Sequence, residues 1–283
     1  MSTAIGLHAD RPVRMEPRDG VVVVVKRYRD ADGARIFGDH RRLWEALDGG
    51  GGGSRPVAIP EPIVWDDEER ELTMEALPGE PVGARGDLGR SGELAAPIAA
   101  LIGAVHGSAA EVGRRRDARR IVASLHRKAV DLRGSIDERR YRRAVELLDD
   151  PIVLRRIAAR ETLVLSHGDW SPRNVLADGD TVRIVDFDRL QMAGSAHDVA
   201  YWGAWCWATE LIVGGRPDWQ MCNAFTAEYV AVRPQVFQEV VDTLWFHRAA
   251  ALLRIAHGWS ALQAAPLMRR AVISEAVRWA AQA

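Results

Sequence analysis

Lysine is nearly absent from this chain. Lys26 and Lys128 are the only two among 38 Lys and Arg side chains, and 39 Asp and Glu bring the net charge to −1. A balance that close to zero excludes a general attraction to nucleic acid or to acidic membranes. Cysteine is equally scarce. Cys206 and Cys222 have no metal-ligand spacing and are expected to be reduced packing residues, not a disulfide. No run of about 18 apolar residues occurs, so no membrane-spanning helix is expected. Met1 to His8 has neither a basic start nor a long apolar core and does not read as a secretory signal. These absences predict a cytoplasmic protein, monomer or dimer, with no nucleic-acid or membrane partner.

Glycine is plentiful but not arranged to cradle phosphate. Asp48 to Ser54 contains five glycines, yet no Lys-Ser or Lys-Thr follows and no strand leads in, so the stretch reads as a flexible connector. No G-x-G-x-x-G occurs in the roughly twenty residues before Val21 either. With 283 residues the chain exceeds one average domain and can form two lobes.

What is present centres on Ser166-His167-Gly168-Asp169-Trp170-Ser171-Pro172-Arg173-Asn174-Val175-Leu176, with Asp186-Phe187-Asp188 ten residues further on. Asp178-Gly179 is a tight-turn signal between two apolar runs, which predicts a β-hairpin. Folding it about Gly179 and Asp180 sets Asn174 opposite Asp186 to within one residue. Cross-strand neighbours have Cβ atoms roughly 4.5–5.5 Å apart. An amide oxygen and a carboxylate at that spacing can share one Mg²⁺, which prefers hard oxygen ligands. Asp169 precedes the hairpin, where a carboxylate can reach a substrate hydroxyl. A base plus two metal ligands is the equipment of phosphoryl transfer.

The HGDxxxxN and DFD pattern resembles the catalytic core of the aminoglycoside phosphotransferase and choline kinase family, relatives of the protein kinases. The resemblance implies a bilobal, protein-kinase-like α+β fold. Its small antiparallel-sheet lobe would span residues 1–76 and its mostly helical lobe 77–283. It also implies an ATP- and Mg²⁺-dependent kinase acting on a small hydroxylated acceptor. Asp169 is then the catalytic base, Asn174 and Asp186 are metal ligands, and Asp188 reaches a second metal. His167 positions the loop. Asp198 is either a brace for that loop or an exposed helix N-cap.

Lys26 ends the run Val21 to Val25, five β-branched residues that predict a buried strand. In a chain that otherwise uses Arg, a lysine there suits a compact ammonium contact to phosphate oxygens; the alternative is a strand end snorkelling to solvent. By resemblance Lys26 grips the nucleotide phosphates and needs a carboxylate from the next helix, read as Ile36 to Leu47, where Asp39 is the choice. Strands are expected at Ile63 to Trp65 and Leu72 to Ala76. The segment Met74-Glu75-Ala76-Leu77-Pro78-Gly79 resembles the family hinge, with backbone groups around Glu75 and Leu77 bonding adenine. Without a glycine lid, the nucleotide would rest on Lys26, the hinge and Mg²⁺.

Beyond residue 77 only the hairpin is expected to be β. Leu94 to His106 reads as a helix ending in a structural histidine. The Arg-rich stretch 114–160 reads as solvated helix faces. Seven tryptophans follow Val199; most are core, while Trp202 and Trp205 are candidates to wall the acceptor site. Residues 201–283 hold six acidic and seven basic side chains, a balance that predicts a neutral or weakly charged acceptor and argues against a polycation. The rival function is a nucleotide-binding pseudokinase acting as a regulatory module.

Overall fold

The computed structural model describes residues 12–29, 32–48, 59–83, 92–261 and 266–282. Residues 1–8 and the glycine connector after Asp48 lie outside them.

Strands β1 (Val13–Arg18) and β2 (Val21–Arg27) form a hairpin through Asp19 and Gly20, at φ 52° and 81°. Two left-handed residues in succession suit the strand twist. β2 pairs with β4 (Glu71–Glu75) and β4 with β3 (Pro62–Asp66), so the antiparallel order is β1-β2-β4-β3. The valine run is not buried throughout. β4 covers β2 only from Val23 onward, leaving Val21 and Val22 61% and 47% exposed at the turn.

Helix α1 (Asp32–Asp48) packs on this sheet, starting one turn before the expected Ile36 because Asp32 suits a helix's first turn. Ile36 and Phe37 meet Tyr28, Leu72, Met74 and Trp65, whereas Leu43 joins the neighbouring core of Ile98, Ile102, Val175 and Ile184. One helix thus holds the small sheet against the rest of the protein.

The remainder is built on helices α2 (Ala95–Gly107), α3 (Ala118–Asp131), α4 (Glu138–Leu148), α5 (Pro151–Ala158), α6 (Ala196–Ile212), α7 (Gln220–Val232), α8 (Phe237–Ala261) and α9 (Pro266–Ala280). α6 is buried on every face from Ala196 to Ala204 and packs against α7 and α8. Cys206 and Cys222 are buried and free. Arg139, Arg140 and Arg143 project from α4 into solvent, as expected.

The hairpin is not the sole β structure here. β8 (Val175–Asp178) and β9 (Thr181–Ile184) are extended by β5 (Glu80–Pro81), and a second sheet has the order β6 (Arg115–Arg116), β10 (Gln191–Gly194), β7 (Leu163–Ser166). Segments of four residues or fewer are too short for alternation to register in sequence. Among the described residues no helix is long and apolar enough to cross a membrane.

Candidate active site

From the end of β7 the chain turns through His167, Gly168 and Asp169. Gly168 has φ 76°, and a Cβ there would lie 2.3 Å from the Arg189 carbonyl oxygen, so only glycine fits. Asp198 on α6 fixes the loop from below. Its fully buried carboxylate accepts the His167 N–H at 2.8 Å and the Gly168 N–H at 3.0 Å. His106 Nε2 donates to it at 3.1 Å, and the Tyr229 hydroxyl meets His106 Nδ1 at 2.7 Å. Burial opposes the charge of Asp198, but the bond from His106 together with the charges of His106, His197 and His167 outweighs burial and holds the carboxyl below the usual range. Asp198 is therefore a brace, and not an exposed N-cap.

His167 joins loop to hairpin. Its Nδ1 accepts the Asp169 N–H at 3.2 Å and its Nε2 donates to the Val185 carbonyl at 3.1 Å, so both ring nitrogens are spent on position.

The β8–β9 register pairs Val175 with Ile184, and the Val185 N–H donates to the Asn174 carbonyl at 3.0 Å. Asn174 thus lies one residue out of register with Asp186, as the turn signal requires. Its Nδ2 donates to the Asp169 carbonyl at 2.9 Å, which ties the hairpin to the Asp169 loop. Asp186 sits at φ 70°, a conformation a short polar side chain tolerates.

Lys26 reaches this group from the small sheet. Its Nζ donates to Asp186 Oδ1 at 2.5 Å and Asp188 Oδ1 at 3.3 Å, and the Tyr28 hydroxyl donates to Asp188 Oδ1 at 2.7 Å. Burial opposes the ammonium's charge, yet the two carboxylates more than offset burial and raise its pKa. The snorkelling alternative fails, because Lys26 is 9% exposed.

Asp169 has cationic company. Arg254 on α8 donates to Gly168 O at 2.7 Å and Asp169 Oδ1 at 3.0 Å, while Arg189 Nε lies 3.6 Å from Asp169 Oδ2. Tyr201 adds a hydrogen bond. Burial opposes ionisation of Asp169, but Arg254 and then Arg189 outweigh burial and hold the carboxyl below its ordinary range.

Two expectations need correction, those for Asp39 and Trp202. Asp39 does not meet Lys26: Arg35 and Arg42, one turn away on either side along α1, hold it at 3.0 and 2.8 Å. A side chain one methylene shorter than Glu is captured by its own helix. Trp202 walls no acceptor site; it is fully buried against Trp170 and Phe225. Trp205 is half-buried, with the Arg173 guanidinium 4.3 Å above its ring. At the hinge, the Glu75 N–H is engaged by Glu61 O at 2.9 Å, because β3 and β4 remain paired there. Leu77 lies past that pairing, and among the described residues its backbone groups find no protein partner.

Sequence reasoning missed Tyr28, Arg189, Tyr201 and Arg254. Tyr28 was accessible, since residues two apart on a strand share a face with Lys26. Arg254 was not; it lies 85 residues from Asp169 with no local signature.

Among the described residues no group of three His, Cys, Asp or Glu side chains is arranged to hold a metal. A hard cation here would rest on the Asp186 and Asp188 carboxylates and the Asn174 amide oxygen, whose NH₂ is already turned to Asp169 O. Two carboxylates and an amide, with the remaining positions left to water and phosphate, fit Mg²⁺.

A model of the phosphotransferase enzyme family matches residues 10–234. The chain belongs to that family. Solved structures share the fold of this phosphotransferase. A choline/ethanolamine kinase family protein from Mesorhizobium loti is 14% identical, with a TM-score of 0.65 over 100% of this chain and 87% of that one. The choline kinase LicA from Streptococcus pneumoniae is 12% identical, with a TM-score of 0.64 over 98% and 92%. A thermostable mutant of the aminoglycoside phosphotransferase APH(4)-Ia, in a ternary complex with ADP and hygromycin B, is 14% identical, with a TM-score of 0.67 over 99% and 94%. No curated protein sequence matches the chain. The mixed architecture, a small antiparallel sheet beside a helical body, is that of these kinases.

Proposed function

We propose that this phosphotransferase moves the γ-phosphoryl group of ATP to a hydroxyl of a small acceptor. One observation carries the reading: Asp169, Asn174 and Asp186 meet on one loop and hairpin, and Lys26 reaches Asp186 from the other lobe. The acceptor hydroxyl gives its proton to Asp169 as its oxygen bonds to the γ-phosphorus, and the bond to the bridging oxygen breaks to release ADP. Such base catalysis is typically worth about 10²–10⁴-fold. Arg254 and Arg189 keep Asp169 ionised, so it orients the hydroxyl at every physiological pH. Asn174 and Asp186, with Asp188 beside them, would hold Mg²⁺, which when bound neutralises charge on the phosphates. Lys26 grips the phosphates at the carboxylate cluster, and Leu77 offers backbone groups to the base. ADP in the APH(4)-Ia complex supports adenine, although a further relative of this fold was crystallised with GDP.

Calorimetric titration with ATP and Mg²⁺, followed by ADP release over a panel of hydroxylated acceptors, tests the reading. Binding with turnover supports a kinase. Binding without turnover on any acceptor turns the chain into a regulatory pseudokinase, and no binding removes both.

A further inference from the structure

We propose that the acceptor is an acid: a small hydroxylated compound that also carries a carboxylate or phosphate group. The proposal rests on the phosphotransferase reading above and names the substrate class of the same site.

Charge around Asp169 is divided by side. On one side Lys26 lies 2.5 Å from Asp186 Oδ1; on the other Arg254 and Arg189 lie 3.0 and 3.6 Å from the Asp169 carboxylate. Behind these two arginines stand more cations from elements far apart in sequence. β6 runs parallel to β10, setting Arg116 beside Ala193, and β10 pairs with β7, which feeds directly into the Asp169 loop. Helix α3 follows β6 and packs on α8. Lys128 of α3 comes within 3.3 Å of His257 Nδ1, one turn beyond Arg254.

These cations have few counterions. The Nε of Arg116 is buried with no hydrogen-bond partner, and neither Arg114 nor Arg116 makes an ion pair among the described residues. Burial first, then the charges of Arg254, Arg114 and Arg189, pull Arg116 down to about 10. Burial and then Arg254, Arg189 and Arg116 lower Lys128, and Arg114 is lowered by burial, Arg189, Arg35 and Arg254. The five side chains therefore lie in one another's field. Facing carboxylates are few: Asp169 itself, Asp131 bound to His257 at 2.9 Å, Asp32 near Arg114, and Asp198 beneath the loop.

A chain of net charge −1 has no general excess of cations to place here. Arg116 and Lys128 are half-buried while Arg114 and Arg189 stay exposed, and gathering the half-buried pair around the largely buried Arg254 costs folding free energy that a bound anion returns. The even count over residues 201–283 missed this, because Arg114, Arg116, Lys128 and Arg189 come from outside that segment. The same field repels an aminoglycoside-like polycation or a choline-like ammonium.

The test compares matched compounds: glycerol with glycerate and glycerol 3-phosphate, glucitol with gluconate, and choline and kanamycin as cations. ADP release and calorimetric binding to the Mg·ATP-analogue complex are read for wild type, Arg116→Gln and Lys128→Gln. The two variants lie on separate elements, so a folding failure in one leaves the other informative. The expected result is binding and turnover confined to acids, with acid affinity falling about tenfold or more in each folded variant while Mg·ATP affinity stays within about twofold. Loss of ATP affinity with unchanged acid affinity would overturn the proposal and give the cations to the γ-phosphate. Preference for neutral or cationic acceptors, or no acid binding by a protein that takes Mg·ATP, overturns it too. A wild type that takes no Mg·ATP brings down the underlying reading as well, and is told apart by that titration alone.

Discussion

At the scale of single residues, placement of charge decides what each group can do. Lys26 sits in a slot shaped by Asp186, Asp188 and Tyr28 and suited to a compact ammonium. Lys26→Arg keeps the charge but brings a broad planar fork, and the KM for ATP should rise about tenfold or more in steady-state kinetics; an unchanged KM would return Lys26 to a merely structural part. Asp169 offers a pH test. Its folded pKa is depressed, so its charge persists above the ordinary carboxylate value near 3.9 and is lost only as pH falls through the lower folded value. Removing the principal opposing cation with Arg254→Met leaves burial in control. The acid limb of kcat/KM should then move to higher pH, and a limb that stays in place contradicts the assignment. Lys26 was legible because lysine is so rare here, and Asp169 because its loop carries a motif. The Lys26–Asp39 expectation failed because position along a helix does not reveal that Arg35 and Arg42 compete for the same carboxylate.

At the scale of elements, the hairpin β8–β9 and the brace beneath its loop carry the site. The two-residue turn at Gly179 and Asp180 fixes the register, so the placing of Asn174 within one residue of Asp186 across the hairpin was legible in the sequence. Asn174→Ala and Asp186→Ala should each raise the Mg²⁺ concentration for half-maximal activity, Asp186→Ala more because a full charge is lost. Superimposable Mg²⁺ titrations for both would refute the metal assignment. Asp198 is held by α6; the sequence left it as either a loop brace or an exposed N-cap, and the burial of α6 decides for the brace. Asp198→Ala would strand two backbone N–H groups and His106, each buried group left unpaired costing about 1–3 kcal/mol. Its melting temperature should fall by several degrees, together with turnover. A melting curve like that of wild type would mean the loop is held by something else. The sheet β6-β10-β7 escaped the sequence because its strands are too short to show a period, and Arg116 was read as one more solvated arginine for the same reason.

At the scale of the whole molecule, the small sheet with α1 and the helical body meet where Lys26 crosses to Asp186 and Asp188. Binding at that junction couples both parts, which suits a reaction that must exclude water from a phosphoryl group in transit. The division into a sheet-bearing start and a helical remainder was legible because strand and helix periods separate well over long segments. What stayed hidden was long-range: Arg254 and Tyr201 reach Asp169 only once α6 and α8 pack. The central claim is that Asp169 performs the chemical step of phosphoryl transfer from ATP. Its most direct test is a paired measurement on Asp169→Asn, ADP-coupled turnover with the acids named above and calorimetric affinity for Mg·ATP. The account predicts ATP affinity within about twofold of wild type and turnover lower by about 10²–10⁴-fold. Turnover near that of wild type in the variant would contradict it.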